Sequence, residues 1–155
     1  MAFLYDEGPI SEKEIQILYQ THPYLIEKKF LNQKTVPQYT FPSGFADIVV
    51  FLENEIVVIE LKVDPLENSH LLQLNGYLED AKREFKNVKL RGILIGKVPK
   101  NNLNKTLNIL PFIVKMMILK RDISTKIKIC DNCRLANDIN NSKCIFCSNN
   151  SFFKG

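Results

Sequence analysis

Between residues 71 and 85 the apolar positions Leu71, Leu74, Leu78, Ala81 and Phe85 recur at three- and four-residue spacing. This predicts an amphipathic helix capped at Asn68 or Ser69. On both sides the period changes to that of strands. "GFADIVVFL" and "EIVVIELKV" are runs rich in Val and Ile joined at Glu53-Asn54, the pattern of a hairpin. "KLRGILIGK" and "PFIVKMMIL" predict two further strands, and Pro99 suits the first turn of a helix between them. Near the start, Ser11-Glu12-Lys13-Glu14 has the capping-box pattern ahead of Ile15, Leu18 and Tyr19, so a helix is expected there. "HPYLIEKKF" predicts a second helical turn after Pro23, and residues 36–41 a short, irregular strand. The order is helix, β-hairpin, helix, strand, helix, strand: an α/β fold with a mixed sheet flanked by helices.

The hairpin carries a chemical problem. A two-residue turn at Glu53-Asn54 pairs Leu52 with Glu55 and, counted back along both strands, sets Asp47 opposite Glu60. Opposed side chains in an antiparallel pair have Cβ atoms about 4.5–5.5 Å apart, and like charges there repel. A cation should sit between them. Lys62, two positions from Glu60 and on the same strand face, is one candidate; a divalent ion held by oxygen ligands is a better one. A three-residue loop would shift the register and turn Asp47 to the other face. A Glu-x-Lys at a strand end is ordinarily a solvated edge, but both strands are otherwise built of Val, Ile and Phe.

The composition changes near residue 125, after which all four cysteines occur. "CDNC" at 130–133 and "CIFC" at 144–147 give two Cys-x-x-Cys knuckles, which can place the thiolates of Cys130, Cys133, Cys144 and Cys147 tetrahedrally around Zn²⁺. An iron site would use the same four thiolates, and two disulfides are the competing reading, disfavoured inside a cell. Four cysteines leave no open coordination position, so this centre is structural, and metal binding would fold a segment too polar for a core of its own. Phe146 is expected to pack the ribbon against the α/β core; Phe152 and Phe153 suit either that packing or base stacking.

A chain of 155 residues with 45% hydrophobic and 25% charged positions holds one ordinary core and a small appendage. No apolar run reaches membrane-spanning length and the N-terminus is no signal peptide, so a soluble, cytoplasmic protein is expected. The net charge of +4 permits a nucleic-acid partner without requiring one. Lys97, Lys100, Lys105, Lys115, Lys120 and Arg121 can contact phosphates, though for any one of them an ordinary solubilising charge is the stronger reading.

"GFAD" at 44–47 followed by "ELK" at 60–62 resembles the PD-(D/E)xK nuclease superfamily, with Ala46 in place of the nominal proline. "QLNGY" from Gln73 to Tyr77 resembles the helix motif of RecB-type nucleases, and "HPYLIEKKF" the N-terminal helix segment of NucS/EndoMS-type DNA endonucleases. The resemblance covers roughly residues 11–100. It implies a restriction-endonuclease-like domain, placed over residues 1–125, ahead of the zinc ribbon that the cysteine spacing puts over 126–155. Asp47, Glu60 and the Leu61 carbonyl would hold Mg²⁺ or Mn²⁺, with Glu27 an additional carboxylate. Lys62 would position or deprotonate water, Gln73 would hydrogen-bond near the metal, and Tyr77 would touch a phosphate. The implied substrate is DNA, the implied assembly a homodimer, and the ribbon would dock DNA or a protein partner. A non-cleaving binding module with the same fold is the alternative, disfavoured because clustered carboxylates repel phosphate.

Overall fold

The computed structural model describes residues 12–119 and 127–153. The expected cap Ser11, the cations Lys120 and Arg121, and the expected boundary at 125/126 lie outside the described residues. Packing divides the chain into two compact units, residues 29–119 in one, and residues 1–28 with 120–155 in the other. The segment ahead of residue 29 therefore groups with the cysteine-bearing end.

Residues 29–119 are built on a five-stranded sheet in the order β1 (Lys34–Phe41), β2 (Gly44–Phe51), β3 (Glu55–Pro65), β4 (Lys89–Lys97) and β5 (Ile113–Ile118). The first three strands are antiparallel; β3, β4 and β5 are parallel. Helix α2 (Asn68–Glu84) makes the crossover from β3 to β4. Its stripe of Leu71, Leu74, Leu78 and Ala81 is fully buried with Val49, Val58 and Leu94 of the sheet. Each buried leucine is worth roughly 1.5–3 kcal/mol of transfer free energy. Close approach requires Gly92 in β4: a Cβ there would lie 2.9 Å from Leu74 Cδ2 and 3.1 Å from Leu78 Cδ1. On β2, β3 and β4, Ile48, Val57, Ile59, Leu61, Ile93 and Ile95 are also buried, which is why these strands read as continuous apolar runs rather than alternating ones.

The turn behaves as the sequence predicts. Leu52 N–H donates to Glu55 O at 2.8 Å, and the ladder runs from Phe51↔Ile56 to Ile48↔Ile59. Two expectations are corrected. The N-cap of α2 is Glu67, not Asn68 or Ser69: its side chain accepts the His70 backbone N–H while His70 Nδ1 accepts Glu67 N–H at 3.0 Å. Pro99 does not open a helix; α3 begins at Asn104 and ends at Ile109. The Asn102 side chain accepts Asn104 N–H at 2.8 Å, and this local bond to an asparagine favours a turn over helix until that point.

In the other unit, α1 (Glu12–Thr21) carries buried Ile15, Leu18 and Tyr19. "HPYLIEKKF" forms 3-10 turns at Pro23–Leu25 and Lys28–Phe30 rather than an α-helix. The cysteines flank a small antiparallel pair, β6 (Ile127–Ile129) and β7 (Ala136–Asp138). Tyr24 docks on it: its hydroxyl accepts Ala136 N–H at 2.8 Å and its ring meets Phe146 edge-on at 5.2 Å. Lys28 Nζ donates to Ile145 O at 2.6 Å. Phe146 thus packs on Tyr24, within this unit. Phe152 bridges Cys130, with Lys128 Nζ 4.1 Å above its ring, and the Arg134 guanidinium lies 4.5 Å from Phe153.

Candidate active site

At Ile48↔Ile59 the β2–β3 ladder ends and the strands fork. Beyond that pair, carboxylates replace carbonyls as acceptors. Asp47 N–H donates to Glu60 Oε1 at 3.1 Å, and Leu61 N–H to Asp47 Oδ2 at 2.7 Å. Each acid therefore accepts a main-chain hydrogen bond of the opposing strand, which holds both at the fork although they are only 6% and 3% exposed. The parallel register with β4 slips between Leu61 and Pro65, so Lys62 sits in an irregular stretch. Such bulges re-aim side chains; here Lys62 Nζ lies 3.5 Å from Glu60 Oε2.

The electrostatics follow from burial. Desolvation, then the Asp47 charge and its hydrogen bond, push the Glu60 carboxyl up from 4.5 to about 8, against the opposing pull of Lys62. The Lys62 ammonium lessens this rise without cancelling it.

Helix α2 supplies the next layer. Gln73 Nε2 donates to Tyr77 Oη at 3.1 Å. Burial, then the charge of Glu60, raises the Tyr77 phenol above its usual range, with smaller contributions from Asp47 and Asp80 and opposition from Gln73. The phenol packs on Gly44, whose φ of +143° favours glycine and where a Cβ would lie 3.1 Å from Tyr77 Oη. One turn on, buried Asp80 accepts Ser43 N–H at 2.9 Å and pairs with Arg83, tying the β1–β2 turn to the helix. Burial opposes its charge, but the Ser43 and Arg83 hydrogen bonds hold it below the ordinary carboxylate range.

The structure thus brings together Asp47, Glu60, Leu61, Lys62, Gln73 and Tyr77. Glu27 lies in the other compact unit, half-buried, and its assignment to a metal site rests on the resemblance alone. Sequence reasoning missed two neighbours. Gln38 Nε2 donates to Asp47 Oδ1 at 3.4 Å; a two-residue turn at Pro42-Ser43, counted as for the first hairpin, places Gln38 opposite Asp47. Asp80 follows Gln73 and Tyr77 at helical spacing.

The two carboxylates of Asp47 and Glu60 offer oxygen donors, which suit a hard divalent cation. The four cysteines suit a soft tetrahedral one. Their sulfurs lie within 4.8 Å of one another, with Cys130–Cys147 at 3.6 Å and Cys133–Cys144 at 3.5 Å. Four sulfurs 2.3 Å from one zinc are about 3.8 Å apart, and none of the four is in a disulfide. The cluster fits a zinc ribbon.

A mixed sheet whose forked strands carry Asp and Glu-x-Lys beside a Gln/Tyr helix has the arrangement that the resemblance to the PD-(D/E)xK superfamily implies. Residues 11–126 match the Endonuclease NucS C-terminal domain family, and the chain belongs to it. Endonuclease NucS of Methanocaldococcus jannaschii is 34% identical over 86 residues, 55% of this chain and 32% of that protein. A solved EndoMS–dsDNA complex is similar with a TM-score of 0.58 and 25% identity, over 76% of this chain and 49% of the other. A repair endonuclease from Pyrococcus abyssi has a similar fold, with a TM-score of 0.56 and 24% identity over 75% and 50%. The chain therefore spans a third to a half of the length of these relatives. Among the described residues, no helix is long and apolar enough to cross a membrane.

Proposed function

We propose that this chain is the catalytic part of a divalent-metal-dependent endonuclease that hydrolyses DNA phosphodiester bonds. The observation that carries the reading is the buried Asp47–Glu60 pair at the strand fork, with the Lys62 ammonium 3.5 Å from Glu60. Asp47, Glu60 and the Leu61 carbonyl would hold Mg²⁺ or Mn²⁺, which would supply Lewis acidity toward water and phosphate. Lys62 orients the attacking water, or as a neutral amine accepts its proton; in the charged form it offsets the negative charge that develops on the phosphoryl oxygens. Gln73 fixes the Tyr77 hydroxyl, which donates to a phosphate oxygen. The likeness to an EndoMS–dsDNA complex supports DNA as the substrate.

Zn²⁺ held by Cys130, Cys133, Cys144 and Cys147 organises the ribbon, whose role is docking. Lys128 and Arg134, each over an aromatic ring, favour nucleic acid as what it meets.

The test is cleavage of labelled DNAs (duplex, mismatched, branched and single-stranded) with Mg²⁺, with Mn²⁺ and with neither, comparing wild type with Lys62→Ala. Metal-dependent cutting that the substitution abolishes is the expected result. Tight DNA binding without cutting, retained by the variant, would identify a binding module instead.

A further inference from the structure

The edge strand β1 pairs with β2 through Pro37↔Ile48 and again from Tyr39↔Ala46. The position between is Gln38, facing Asp47. Its backbone is left-handed, with φ of +51°. That conformation is unfavourable for a residue with a Cβ, and glutamine lacks the short side chain that lets asparagine or aspartate adopt it readily. Strain of this kind in mid-strand persists where the surroundings impose it. What it accompanies here is a contact: Gln38 Nε2 reaches Asp47 Oδ1 at 3.4 Å, while Asp47 Oδ2 is held by Leu61 N–H. The Asp47 carboxylate is thus fixed at both oxygens, from β1 on one side and β3 on the other. Both of these donors are neutral, so neither adds a positive charge beside the group it orients.

We propose that Gln38 is a positioning residue for the metal-binding carboxylate of Asp47, a role that rests on the nuclease reading above. Its left-handed backbone belongs to that role. The competing explanation is edge protection, in which an irregular β1 only discourages pairing with other chains.

Two variants separate them. Gln38→Gly removes the amide and suits a left-handed backbone better; Gln38→Leu removes the amide and keeps the bulk. Cleavage is measured for kcat, KM for DNA and half-saturating Mg²⁺. Mn²⁺ affinity without DNA is measured by electron paramagnetic resonance, and Tm by calorimetry. Positioning predicts that Gln38→Gly melts no lower than wild type, yet both variants lose kcat roughly tenfold, the scale of one hydrogen bond to a charged group. KM for DNA stays constant and Mn²⁺ binding weakens several-fold.

The proposal is overturned if Gln38→Gly keeps wild-type kcat and Mn²⁺ affinity, which would leave edge protection. It is also overturned if only KM rises, which would make Gln38 a DNA contact. If wild type cuts no DNA but its Mn²⁺ binding weakens in both variants, the positioning role stands and the nuclease reading fails. If wild type binds no Mn²⁺, both fall.

Discussion

Glu60→Gln should make the protein more stable while destroying its proposed activity. The Glu60 carboxyl is raised from 4.5 to about 8 by burial and by Asp47. Between those values the folded protein holds a proton that the unfolded chain has released, so stability falls as pH rises through this window and levels off above it. Each pH unit is worth about 1.4 kcal/mol, which makes the cost on the order of 3 kcal/mol at pH 7 and approaching 5 above pH 8. A glutamine bears none of this cost; its carbonyl keeps the bond from Asp47 N–H, and its amide can donate to the Asp47 carboxylate. The assay is urea unfolding at pH 5 and pH 8 in buffer free of Mg²⁺ and Mn²⁺, with zinc retained. The variant should match wild type within about 1 kcal/mol at pH 5 and exceed it by several at pH 8. Adding Mg²⁺ should then stabilise wild type and leave the variant unmoved, since ligand binding to the folded state alone shifts stability. A difference independent of pH would refute the like-charge account of the fork.

Asp80→Asn should destabilise at neutral pH. Because the folded Asp80 titrates below its ordinary value, the gap from wild type should be constant above about pH 4 and close as pH falls further; Tm measured from pH 7 to pH 2.5 checks the sign. Gly92→Ala drives a methyl into Leu74 and Leu78 and should cost about 1–3 kcal/mol in denaturant unfolding, whereas a neutral result would mean that α2 packs less tightly on β4. Each chain should carry one zinc that shields four thiols from alkylation, and Cys144→Ser should lose it. Four thiols that react freely without releasing metal would contradict the ribbon.

The parts legible in the sequence are those fixed by local chemistry. Glu53-Asn54 set the hairpin register, and with it the meeting of Asp47 and Glu60, because two strands joined by two residues leave no freedom to slip. The leucine stripe fixed the buried face of α2, and cysteine spacing fixed the thiolate cluster. What escaped depends on side chains competing with the backbone. Asn102 delays a helix that Pro99 alone would start, and Glu67 with His70 moves a cap that Asn68 or Ser69 would otherwise hold. The left-handed Gln38 carries no local signal, since glutamine has no preference for that conformation. The grouping of residues 12–28 with the ribbon depends on contacts such as Tyr24 with Ala136, more than a hundred residues apart.

The central claim is that a divalent ion at Asp47 and Glu60 meets the scissile phosphate. It is tested most directly by replacing a non-bridging oxygen of that phosphate with sulfur in a DNA that the wild type cuts. Magnesium prefers oxygen over sulfur, and manganese tolerates sulfur better. The account predicts that one phosphorothioate isomer resists cutting with Mg²⁺ and is cut again with Mn²⁺. Equal cutting of both isomers in Mg²⁺, or a block that Mn²⁺ does not relieve, would contradict it.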